Sequence, residues 1–92
     1  MITSFKHKGL RDFFEMGSAR RLSVQNSDRV RRVLLALDAA SRPEDLNLPG
    51  FRFHALSGKL AGRYAVNVSG NWRITFRWDG RNVGDVDLED YH

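Results

Sequence analysis

Ninety-two residues, 41% hydrophobic and 28% charged, give one domain over residues 1–92, with a single core and no room for a deep enclosed cavity. The absence of cysteine excludes a disulfide framework and thiolate metal ligation, and the histidines at 7, 54 and 92 are too scattered to suggest a zinc site. Formal charge is +4, but residues 1–78 hold a surplus of +8, while residues 79–92 carry five acids against one base, Arg81.

Twelve of the fifteen basic residues are arginine, whose planar fork suits phosphate and carboxylate and stacks on bases. That balance fits a polyanionic partner, and equally a solvated basic surface. No apolar run approaches a membrane span, and Met1-Ile2-Thr3-Ser4-Phe5 lacks a signal-peptide core. The expectation is a cytoplasmic protein with no membrane partner, no metal and no cofactor.

In chain order, a short strand is expected over residues 2–5, then a helix through Leu10, Phe13 and Phe14 that stops near Gly17. Ser18 to Gln25 reads as a connection exposing Arg20 and Arg21. Asn26 or Ser27 can cap a second helix, on which Val30, Val33, Leu34 and Leu37 fall on one face at the 3.6-residue period. Arg31 and Arg32 point away from that stripe, within reach of Asp28. Pro43 ends the helix and begins a turn containing Glu44 and Asp45.

Beyond Gly50 the period changes to two. Tyr64, Val66 and Val68 share one strand face opposite Asn67 and Ser69, and Ser69-Gly70 suits a hairpin turn. Trp72, Ile74, Phe76 and Trp78 then alternate with Arg73, Thr75 and Arg77. Asp79-Gly80 is a turn signal, and in the last strand Val86 and Leu88 face the core while Asp85, Asp87 and Glu89 face outward. The fold class is therefore α+β: two N-terminal helices packed on a small antiparallel β-sheet meander. The face carrying Arg73, Thr75 and Arg77 either forms cross-strand ion pairs, such as Arg77 with Asp85 or Asp87, or lines a cleft.

The sequence ends on Asp90-Tyr91-His92, a carboxylate, a phenol and an imidazole placed directly after a strand. Helix–helix–meander, a basic body and this cluster resemble the HigB-type toxins of the RelE/ParE superfamily of bacterial toxin–antitoxin systems. The resemblance spans the chain. It is carried by Ser4-Phe5-Lys6-His7-Lys8-Gly9-Leu10, by Leu56-x-Gly58-x-x-x-Gly62-x-Tyr64, by Asn71-Trp72-Arg73-Ile74-Thr75-Phe76 and by Glu89-Asp90-Tyr91-His92. It implies a RelE-like fold and an endonuclease that cuts mRNA in the A site of the 70S ribosome. It also implies neutralisation by a helix-turn-helix, HigA-like antitoxin, with operator DNA bound only through that antitoxin. The catalytic residues it implies are His54, Arg73, Asp90, Tyr91 and His92.

RNA carries its own nucleophile, the 2′-hydroxyl, so such an enzyme needs proton carriers and cations rather than a metal or a serine. Histidine suits the first task because its ordinary pKa lies near neutrality. Arg73 can clamp the scissile phosphate, with Lys59 and Arg63 on a Gly-bracketed loop and Tyr64 as further RNA-binding residues. Each has a plainer reading: His54 as a satisfied core residue, Arg73 as an ion-paired strand residue, Lys59 and Arg63 as ordinary loop charges. The sequence departs from the family at Ser57, where some relatives have lysine, and at Asn67, Val68 and Ser69, a stretch that often carries an arginine. Two other activities stay open on the same fold: a ParE-like inhibitor of DNA gyrase, and a non-catalytic RNA-binding module.

Overall fold

The structure, a computed structural model, describes residues 1–24 and 26–90. Helices α1 (Lys8–Met16) and α2 (Ser27–Ala39) precede four strands, β1 (His54–Ala55), β2 (Arg63–Ser69), β3 (Trp72–Trp78) and β4 (Val83–Asp90). The strands pair antiparallel in the order β1-β2-β3-β4, a meander with both helices N-terminal to it. This is the α+β arrangement expected from the patterning.

The helices begin and end where their cap residues dictate. His7 caps α1 through Nδ1, which accepts from the Leu10 amide at 3.1 Å. Gly17 closes the helix at φ 73°, a left-handed conformation that glycine takes without strain, and its amide donates to the Phe13 carbonyl. Asn26 caps α2 by accepting from the Arg29 amide at 3.2 Å. Gly9 lets the connection between the helices cross α1 closely, since a Cβ there would sit 2.4 Å from the Arg21 carbonyl oxygen.

Val30, Val33, Leu34 and Leu37 of α2 and Leu10 and Phe13 of α1 are buried against Val66, Val68, Ile74, Phe76, Val86 and Leu88 of the sheet. Each such side chain stabilises the fold by roughly 1.5–3 kcal/mol relative to leaving it exposed, so the core fixes which sheet face meets the helices. Leu46, on the 3-10 turn Pro43–Leu46, completes it. No helix among the described residues is long and apolar enough to cross a membrane.

Residues 2–5 do not form the regular strand expected of them. They run parallel to the outer edge of β4 and touch it at two isolated bridges, Ile2 with Val83 and Phe5 with Val86. The bridges fall three residues apart on both segments, whereas a regular ladder has a period of two. The cause is Asp85, whose φ of 50° bends β4 between them, at a register shift against β3. Ser4 fills the gap: its Oγ accepts from the Asp85 amide at 2.8 Å.

Candidate active site

Because strand side chains alternate, the residues that leave the core gather in rows on the opposite face of the sheet. His54, Ala65, Thr75 and Asp87 form one row; Asn67, Arg73 and Glu89 form the next; Arg63 pairs with Arg77 on the other side. The centre of this face is not open to water. Ala65 and Thr75 are both fully buried, roofed by the long side chains around them.

That roof is a polar network. Arg63 donates from Nη2 to Thr75 Oγ1 at 3.0 Å and to the Asp85 carbonyl at 3.3 Å. Thr75 Oγ1 donates to Glu89 Oε1 at 3.2 Å, and Glu89 Oε2 accepts from Arg73 Nη2 at 3.3 Å. Arg73 is the more enclosed partner, with its side chain 15% exposed against 37% for Glu89. Arg77 pairs with Asp85 at 3.5 Å, the cross-strand contact expected from the sequence. The network thus runs from Arg63 through the buried Thr75 hydroxyl to the Glu89 carboxylate and on to Arg73.

His54 lies at the margin of this face, on the short edge strand β1, and it is exposed rather than a core residue. Its neighbours take the buried role: Phe53 stacks on Tyr64 at 5.6 Å, and Tyr64 on Phe76 at 5.6 Å. His54 Nδ1 lies 2.9 Å from the Arg52 carbonyl oxygen. A carbonyl only accepts, so Nδ1 carries the proton, and in the neutral ring Nε2 keeps its lone pair. Ala65, the residue paired with His54, is the shortest side chain in the row and is covered by the longer side chains around it. With strands about 4.8 Å apart, the β1 and β3 backbones stand about 10 Å from each other, a gap that a long arginine side chain can span.

The remaining expected site residues are distributed less simply. Arg63 opens β2 and is tied down across β3, so it is not the free loop cation that its flanking glycines suggest. Lys59 is on the exposed 3-10 turn Gly58–Leu60 between β1 and β2, bracketed by Gly58 and Gly62 at φ 64° and 92°. Tyr64 sits in the aromatic stack on the helix-side face, where its ring supports β1. Asp90, the last residue of β4, stands opposite Trp72 at the sheet rim and lines a hollow with Ser23, Asn71 and Trp72. By alternation it belongs to the face opposite Glu89. Tyr91 and His92 lie outside the described residues.

Sequence reasoning missed Thr75 as the hub of this network. Counting outward from the Asp79-Gly80 turn sets Thr75 against Val86 and Arg73 against Leu88. The register shift beside Asp85 moves them to Asp87 and Glu89, so the sequence carried no signal for this network. The three departures from the family pattern also find positions. Ser57 precedes the 3-10 turn of Lys59, Asn67 shares a row with Arg73, and Ser69 follows a register shift at the end of β2.

A family model for a RelE-like toxin of type II toxin–antitoxin system HigB matches residues 3–92. The chain is also similar to Endoribonuclease HigB of Proteus vulgaris, with 39% identity over 92 residues and 100% of both chains covered.

Proposed function

This chain belongs to the HigB-like family of RelE-like toxins of type II toxin–antitoxin systems, and we propose that it is an endoribonuclease acting on mRNA in the ribosomal A site. The observation that carries the reading is His54, held by the Arg52 carbonyl through Nδ1 and paired with Ala65 on the polar face of the sheet, one row from Arg73. A general base and a cation on one face match what RNA self-cleavage needs. One group removes the 2′-hydroxyl proton, and a fixed positive charge stabilises the phosphorane.

In the proposed reaction the 2′-oxygen attacks the adjacent phosphorus, the bond to the 5′-oxygen breaks, and no metal takes part. His54 Nε2 receives or returns a proton, and Arg73, oriented by Glu89, holds a non-bridging oxygen. Tyr91 and His92, which follow Asp90 at the end of β4, supply the other proton carrier and its orientation, while Asp90, on the face opposite Glu89, is assigned to the rim rather than to the reacting atoms. Lys59 adds charge at the rim, while Arg63 fixes the floor at Thr75. The face is shallow, so the ribosome supplies the walls by positioning the message, and the cytoplasm is the place of action. The partner in restraint is a helix-turn-helix antitoxin of the HigA kind.

The test is primer extension on a translated message after expression of this chain alone. Discrete cuts within codons, absent upstream of the start codon, are the expected result. Intact messages accompanied by a DNA-damage response would replace this reading with gyrase inhibition.

A further inference from the structure

β1 begins only at His54 and pairs with Tyr64 and Ala65, so beyond it the edge of β2 meets the segment before β1, where the Asn67 amide donates to the Phe51 carbonyl at 2.7 Å, beside a groove of about 530 Å³. Asn26, Arg29, Arg52, Asn67 and Ser69 line it, and among the described residues no carboxylate does. Asn67 stands in the row of Arg73, so the groove opens onto the polar face of the sheet.

The two arginines contribute in different ways. Arg29 reaches from α2 and donates to the carbonyls of Gly50 and Asn67, with its guanidinium 5.2 Å from the Phe51 ring centre. Carbonyls and a ring fix this cation without cancelling its charge. Arg52 is exposed, and its φ of 51° is a left-handed conformation that favours glycine. Gly50, two residues earlier, adopts φ 83° without that strain. Keeping an arginine at such a position calls for a use of its side chain. The same residue's carbonyl holds His54, which links the groove directly to the proposed base.

We infer that this groove binds a phosphodiester of RNA flanking the scissile one, through the guanidiniums of Arg52 and Arg29. The inference rests on the ribonuclease reading and extends it. It also gives a physical sense to the departure at residues 67–69. The cation absent from residues 67–69 is supplied from the two sides of β2, by α2 and by the segment before β1.

Arg52→Gly separates this role from a structural one, because glycine keeps the carbonyl for His54 and accepts the positive φ. The probes are an uncleavable 2′-O-methyl RNA oligomer and vacant 70S ribosomes, each titrated over a range of salt with wild type, Arg52→Gly and His54→Ala. Arg52→Gly should melt higher than wild type yet bind RNA several-fold more weakly, with a salt slope shallower by about 0.7 for each phosphate no longer neutralised. Weakening on the oligomer is the expected result, and weakening on the ribosome alone would overturn the flanking-phosphate assignment in favour of ribosomal RNA. Unchanged affinity and slope in both arms would overturn the groove while His54→Ala, binding normally but not cutting, left the enzyme reading intact. Loss of antitoxin binding with RNA binding unchanged would overturn it too, in favour of an acidic protein segment. A wild-type chain that bound neither probe would remove the groove together with its premise.

Discussion

Arg73 and Glu89 stand directly opposite each other on β3 and β4, and their side chains meet at 3.3 Å. The cation proposed to hold the phosphate therefore has a resident carboxylate, itself fixed by Thr75. An ion pair of this kind sets the direction of a guanidinium before substrate arrives, and the price is one negative charge near a polyanion. Function and stability converge on the same side chain.

Arg73→Ala should accordingly show both effects. Removing a preorganised donor costs cleavage by roughly 10²-fold. Leaving Glu89 without this partner should cost on the order of 1 kcal/mol, or several degrees of melting temperature in a domain this size. Arg73→Lys should recover most of the stability but only part of the activity, since an ammonium lacks the bidentate fork. Thermal melts and cleavage on the same preparations check this. A destabilised Arg73→Ala that cut at the wild-type rate per folded molecule would confine Arg73 to the ion pair.

His54→Gln should behave differently. The side chain is exposed and is hydrogen-bonded, among the described residues, to the Arg52 carbonyl, so melting should change by no more than about 0.5 kcal/mol equivalent. Cleavage should fall about 10²–10⁴-fold, the usual worth of a positioned acid–base group. Single-turnover rates on programmed ribosomes are the measurement. Near-normal rates would move the proton-transfer role to another residue.

Deletion of Tyr91 and His92 should abolish cleavage and growth arrest while β4 remains paired through Asp90 with Trp72. The check is growth after induction together with the melting temperature. Full toxicity of the shortened chain would contradict the role given to this pair.

Co-expression with the adjoining gene should relieve growth arrest and yield a copurifying complex that binds operator DNA, whereas this chain alone should not. Electrophoretic mobility shifts with and without the neighbour test the claim. A neighbour that neither rescues growth nor copurifies would leave the antitoxin unidentified.

Asp79 supplies a prediction in pH. The backbone amides of Asn82 and Arg81 donate to its carboxylate at 2.7 and 2.8 Å and hold its pKa below the ordinary value. A carboxyl lowered on folding stabilises above its unfolded pKa, and that contribution is lost as pH falls through the folded value. Asp79→Ala should therefore melt lower than wild type at pH 7, and the gap should close below about pH 4. A gap independent of pH would mean that the turn does not rely on the charged form.

The core was legible because burial leaves a period in the sequence: Val30, Val33, Leu34 and Leu37 recur with the helix, and Ile74 and Phe76 with the strand. His54 was harder. It is flanked by Phe53 and Ala55, and β1 is two residues long, too short for alternation to say which neighbour faces inward. Thr75 was hidden for the opposite reason. The pattern correctly put it on the polar face, but polarity of a face does not imply exposure when arginines fold across it. The bend at Asp85 left no trace either, because a left-handed residue other than glycine obeys no compositional rule strong enough to read.

The clasp of Ser4 on Asp85, and of Thr3 on Val83, also has a consequence for the birth of the molecule. These partners are 80 and 81 residues apart, so the segment made early must wait for one made far later before it has anything to hold. Contacts of such long sequence separation form late in folding, after shorter loops have closed. A growing polypeptide therefore has no β4 to offer, and no Glu89 to aim Arg73, while the helices and the first three strands are emerging. On the role proposed for Arg73, the order in which the residues are made leaves the polar face incomplete until β4 has followed.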